Sequence, residues 1–131
     1  MTWDPDRNGY YFNRFIDNCV NSNHFKRDSE ECSNFIDESV ALLSTCINPK
    51  HYDNQIKKFD STGIAIGYIQ SGKTSSMEAV SNLARDNGFK LIIVMSGTVG
   101  NLTVQTQERL FNTMRGIGWK RIYIPEARKS F

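Results

Sequence analysis

Eight residues constrain this chain more than any others. Gly67-Tyr68-Ile69-Gln70-Ser71-Gly72-Lys73-Thr74 match the pattern G-x-x-x-x-G-K-[ST] in full. At average composition this pattern arises by chance in a chain of 131 residues on the order of half a percent of the time. Its surroundings fit as well. The short apolar run Gly63-Ile64-Ala65-Ile66 precedes it, and from Lys73 to Asn87 the period turns helical, with Met77, Val80, Leu83 and Ala84 as the apolar side. Asn87-Gly88 then supplies a left-handed C-cap.

Each part of the pattern has a physical task. Gly67 and Gly72 let the backbone turn tightly and present its N–H groups to phosphate oxygens, with Gln70 and Ser71 contributing further backbone donors between them. A helix opening near Lys73 adds its partial positive end. Lys73 reaches the β- and γ-phosphates, and the Thr74 hydroxyl takes a coordination position on Mg²⁺. The spacing therefore points to ATP with Mg²⁺ as ligand and to Gly67, Gln70, Ser71, Gly72, Lys73 and Thr74 as its binding residues.

Beyond the first helix of this unit, Lys90-Leu91-Ile92-Ile93-Val94-Met95 is a continuous apolar run, the pattern of a strand buried on both faces. Ser96-Gly97-Thr98-Val99-Gly100-Asn101 forms a loop before an amphipathic segment from Leu102 to Thr113, and Arg121-Ile122-Tyr123-Ile124 is a third strand candidate, stopped by Pro125. Strand, loop and helix in alternation predict an α/β fold: a partial P-loop (RecA-like) parallel sheet over residues 63–131. Residues 1–62 read as a helical region in front of it. Phe12, Phe15, Ile16, Cys19 and Val20 make one apolar stripe, and Cys32, Phe35, Ile36, Val40, Leu43, Cys46 and Ile47 make a second. Asp28 and Glu31 are spaced as a capping box before the second stripe, and Asn48-Pro49 ends it.

Composition removes several classes. With 39% hydrophobic and 23% charged residues the chain is neither disordered nor fibrous. Its longest apolar run, from Leu91 to Met95, falls short of the ~20 residues of a membrane helix, and its first residues lack a signal-peptide layout. Three cysteines with no CxxC spacing and two distant histidines argue against a disulfide scaffold or a zinc site and for a reducing, cytoplasmic setting. The net charge of +2 hides a gradient: residues 1–62 carry seven basic and ten acidic groups, whereas the last twenty carry Arg115, Lys120, Arg121, Arg128 and Lys129 against Glu126 alone. A basic end attracts phosphate backbones, and Arg115, Lys120 and Arg121 are candidate nucleic-acid contacts, although a merely solvated surface has the same composition. The polar loop at Gly97 and Thr98, with Gln105 on the segment that follows, is open to the same two readings.

Taken together, residues 67–74, Ala84-Arg85-Asp86-Asn87-Gly88, Ile92-Ile93-Val94-Met95-Ser96-Gly97 and Asn101-Leu102-Thr103-Val104-Gln105-Thr106-Gln107-Glu108-Arg109 resemble the start of the Z-one domain family, endonuclease-associated ATPases related to superfamily-two helicases. The resemblance covers residues 63–110. It implies a RecA-like core, ATP with Mg²⁺, and action on DNA in restriction or defence, with Gly72, Lys73 and Thr74 on the nucleotide and the Gly97 loop and Gln105 where helicases touch the DNA backbone.

The acidic strand that such an ATPase needs has no counterpart after residue 110, because Ile122-Tyr123-Ile124-Pro125-Glu126 has a proline where the first acid should stand. The chain thus reads as the N-terminal region of a DNA-directed helicase-like ATPase whose remaining parts come from further chain or a partner subunit, with little turnover of its own. Two alternatives stand beside it: a non-catalytic P-loop interaction module, and a fragment of a P-loop phosphotransferase. Asp86, Glu108 and Glu126 are the acids that would have to hold the metal if the chain turned nucleotide over by itself.

Overall fold

A computed structural model describes residues 3–51, 63–66, 73–94, 108 and 110. Three α-helices dominate: α1 (Tyr10–Asn21), α2 (Glu30–Ser44) and α3 (Lys73–Asp86), with a 3-10 turn at Pro49–His51. α3 packs on both α1 and α2.

The two stripes read from the sequence form the heart of the packing. Phe12, Phe15, Ile16 and Cys19 of α1 are buried against Cys32, Val40 and Leu43 of α2 and Ala79, Leu83 and Ala84 of α3. Phe35 joins α1 to the following turn, its ring 6.5 Å from Phe15 and 5.3 Å from Phe25. Aromatic pairs at these separations add to the stabilisation from area burial alone. The small side chains Ala79 and Ala84 leave room for the neighbouring helices on that face of α3.

Two helices end in the same way. At the end of α1 the His24 N–H donates to the Cys19 carbonyl and the Asn23 N–H to Val20, with Asn23 at φ 58°. At the end of α3 the Phe89 N–H donates to Ala84 and the Gly88 N–H to Arg85, with Gly88 at φ 98°. Both are Schellman reversals, in which a left-handed residue satisfies the last carbonyls. The expected C-cap at Asn87-Gly88 is present. α2 departs from expectation at both ends. Ser29 caps it, its Oγ accepting from the Cys32 N–H at 3.2 Å, so the cap falls one residue beyond Asp28. It stops at Ser44, where the Ser44 and Thr45 hydroxyls donate to the Ala41 and Leu42 carbonyls and the Cys46 N–H donates to Leu43. Cys46 and Ile47 are therefore exposed and not part of the stripe.

The expected parallel sheet is not seen. Among the described residues there is no strand, and the two apolar runs proposed as its first members are unpaired. Ile64 and Ile66 are 85% and 89% exposed, Leu91 and Ile93 72% and 75%. Only Phe89 and Ile92 lean on the helical core. A short apolar run with β-branched residues in it carries the composition of a buried strand, but pairing is non-local, and no neighbour among the described residues supplies it. The third candidate strand at residues 121–124 lies outside the described residues.

Candidate functional site

The two ends of α3 are built differently, and each bears on what the chain can do. Its C-terminal end is locked to the start of α1. Gly9, the N-cap of α1, has no side chain with which to satisfy the free N–H groups of the first turn, and that turn contains no acidic residue. Asp86 does the capping from across the interface: its Oδ1 accepts from the Tyr11 N–H at 3.1 Å and its Oδ2 from the Phe12 N–H at 2.8 Å. The carboxylate also complements the positive end of the α1 dipole. A Cβ at position 9 would lie 2.2 Å from the Asp86 Cγ, so only glycine admits this approach.

The neighbouring residues extend the junction. Asn87 Oδ1 accepts from the Asp6 N–H at 2.8 Å, while its Nδ2 donates to the Asp6 and Leu83 carbonyls. Arg85 lies 3.7 Å over the Tyr11 ring and donates to its hydroxyl. Trp3 Nε1 donates to the Cys46 carbonyl at 2.8 Å, carrying the N-terminal segment on to the end of α2. From sequence alone Asp86 is only a possible metal acid. The signal for its capping role is a glycine N-cap with no capping side chain, which requires an acceptor from elsewhere.

The N-terminal end of α3 is the candidate site. The helix opens at Lys73, the lysine of the G-x-x-x-x-G-K-[ST] pattern, and its first turn carries no acidic side chain to neutralise the positive end of its dipole. Thr74, Ser75 and Ser76 follow, each half-buried. Gly67, Gln70, Ser71 and Gly72 lie outside the described residues, as do the candidate nucleic-acid contacts Gly97, Thr98, Gln105, Arg115, Lys120 and Arg121, and Glu126.

Below the opening, the buried face of α3 is unexpectedly polar. Glu78, Ser81, Asn82 and Asn87 are buried, whereas Met77, expected on the apolar side, is exposed. Ser81 Oγ donates to the Met77 carbonyl and Asn82 Nδ2 to the Glu78 carbonyl, so these side chains return to their own helix. No buried side-chain nitrogen or oxygen among the described residues lacks a partner. Across the interface, burial and then the Glu78 charge push the Cys19 thiol up to about 11. Burial likewise raises Cys32, and all three cysteines are free.

Asp86 is committed to the α1 cap, twelve residues and about 18 Å along the axis from Thr74 at ~1.5 Å per residue. Glu108 is exposed. Among the described residues no group of three or more His, Cys, Asp or Glu side chains could hold a metal ion, and no helix is long and apolar enough to cross a membrane. Comparison with family models, with curated proteins and with solved structures gives no match to this chain.

Proposed function

We propose that this chain binds a nucleoside triphosphate with Mg²⁺ through residues 67–74, as the ATP-binding region of a helicase-like ATPase that acts on DNA from a reducing, cytoplasmic setting. The observation that carries this reading is the coincidence of the complete G-x-x-x-x-G-K-[ST] pattern with a helix that starts at its lysine and has no acid in its first turn. Backbone N–H groups of the loop and the Lys73 ammonium hold the phosphates, and the Thr74 hydroxyl is a ligand for the metal, which neutralises phosphate charge. Hydrolysis needs in addition an acid for the metal, a group to orient water and a cationic finger. With Asp86 committed elsewhere, the chain by itself binds nucleotide and turns it over slowly.

A second reading, a non-catalytic interaction module, draws on the exposed apolar side chains of Ile64, Ile66, Leu91 and Ile93, which flank α3 on both sides in sequence. The two readings part on phosphate release with and without DNA. DNA-stimulated turnover favours the ATPase, and binding without turnover under either condition favours the module.

Nucleotide binding is tested by calorimetry with ATP and Mg²⁺ on the wild type and on Lys73→Ala. Loss of one charge-assisted contact should weaken binding by about 1.5–3 kcal/mol. Equal affinities would remove the phosphate-loop assignment.

A further inference from the structure

The chain contains two Asn-Gly pairs, Asn8-Gly9 and Asn87-Gly88, and the fold brings both to the junction of α1 and α3. An asparagine followed by glycine is prone to cyclise. The glycine nitrogen attacks the side-chain Cγ, and the absence of a Cβ on the attacking residue leaves the approach open. Hydrogen bonds that hold the amide or the nitrogen in place slow this reaction, because they must open before the ring can close.

The two pairs differ in this respect. At Asn87 each group that ring closure needs is engaged. The side chain is buried, its Oδ1 accepts from the Asp6 N–H, its Nδ2 donates to the Asp6 and Leu83 carbonyls, and the Gly88 N–H donates to the Arg85 carbonyl at 3.3 Å. At Asn8 the same groups are loose. Its side chain is exposed and makes no hydrogen bond among the described residues, and the Gly9 N–H has no acceptor among them. The Asn8 main-chain N–H donates to Asp6 Oδ1 at 2.9 Å, which leaves the side-chain amide itself untouched.

We infer that Asn8 is a site of spontaneous deamidation in the folded protein and that its conversion loosens the Asp86 cap of α1, whereas the fold protects Asn87. The Gly9 nitrogen, giving up its proton to hydroxide, forms a bond to the Asn8 Cγ. The Cγ–Nδ2 bond breaks, Nδ2 leaves as ammonia, and a succinimide results. Water then opens the ring, with no oxidant or reductant involved. Addition at Cγ gives aspartate; addition at the main-chain carbonyl carbon gives isoaspartate, whose backbone runs through Cβ and Cγ and is longer by a methylene. The junction has no slack for either product. Asp6 is fixed by its two hydrogen bonds with Asn87, and a Cβ on Gly9 would lie 2.2 Å from the Asp86 Cγ. Arg7 and Asn8 bridge these two anchors, so an added methylene at residue 8 displaces one of them. Aspartate instead adds a negative charge to a junction that already holds the Asp6 and Asp86 carboxylates.

The test is peptide mass mapping of the full chain aged at neutral pH, in native buffer and in guanidinium chloride, on wild type and Asn8→Gln. In denaturant the two Asn-Gly pairs should deamidate at similar rates. In the native protein Asn8 should convert at least ~10-fold faster than Asn87, which reacts only in molecules whose junction has opened. Asn8→Gln, whose longer amide cyclises slowly, should lack the early acidic form on ion exchange. Equal native rates at the two pairs overturn the proposal, as does an early acidic form that persists in Asn8→Gln. The isoaspartate form, separated by ion exchange, should unfold at a lower denaturant midpoint than unaged wild type, and Asn8→Asp, which adds the charge without the methylene, should show a smaller loss. In an Asp86→Ala background the loss from aging should largely disappear, because the cap is already gone. An unchanged midpoint in the isoaspartate form, or an equal loss without Asp86, overturns the effect on the cap.

Discussion

α3 ends twice, and the contrast between its ends separates structure from candidate function. At Asp86 and Asn87 the side chains are turned inward, onto the α1 cap, the backbone at Asp6 and the Leu83 carbonyl. At Lys73 the helix opens without an acidic side chain in its first turn. A helix end satisfied by its own protein has nothing left for a ligand, whereas an end that keeps its dipole uncompensated favours an anion.

The strongest way to break the contrast is at the locked end. Asp86→Ala should destabilise the fold by about 2–4 kcal/mol, since it removes a cap and strands two N–H donors. Gly9→Ala should cost a similar amount by driving the Asp86 carboxylate away, and the two changes together should cost much less than their sum. Chemical denaturation of the two single variants and the double variant measures this. Additive losses would mean that position 9 and Asp86 do not share one contact.

A smaller effect should appear with pH. The Cys19 thiol, ordinarily near 9.0, is raised to about 11 in the folded state. The native form therefore holds its proton more tightly than the unfolded chain. The corresponding stability is complete below pH 9 and is lost as pH climbs through 11, a contribution of about 3 kcal/mol. Cys19→Ala should flatten the alkaline limb of the stability profile, and an unchanged slope between pH 9 and 11 would show that the thiol is not the group titrating. Least costly to the fold is modification of Cys46. It should react quickly with a thiol reagent in the native protein, while buried Cys19 and Cys32 react only on unfolding. Equal rates for the three would contradict the burial of Cys19 and Cys32 in the helical core.

What was legible in the sequence was local. The stripes of α1 and α2 and the Asn87-Gly88 cap depend on residues within a few positions of one another, so a single pattern contains them. The misreadings arose where the deciding partner was distant or hidden in a hydroxyl. Asp86 caps a helix that begins 76 residues earlier. Ser44 and Thr45 end α2 before Cys46 through hydrogen bonds that apolar periodicity ignores. Asn82 and Ser81 are tolerated in the core because they bond their own helix, and Met77 is exposed. The runs at residues 63–66 and 90–95 have strand composition, yet a strand exists only through its partner, and the described residues provide none. Of the candidate site, the structure brings Lys73 and Thr74 to a helix opening.

One thermal-shift experiment reads both ends of α3 at once, with wild type, Asp86→Ala and Lys73→Ala each melted with and without saturating ATP and Mg²⁺. Ligand present at a hundred times its Kd stabilises the folded state by about 2.7 kcal/mol. Alanine is at least as good a helix former as lysine, so Lys73→Ala should melt like wild type without ligand. Asp86→Ala should start low but gain the full shift on adding ATP, whereas Lys73→Ala should start at the wild-type temperature and gain less than half of it. A full ATP shift in Lys73→Ala would contradict the phosphate-loop assignment.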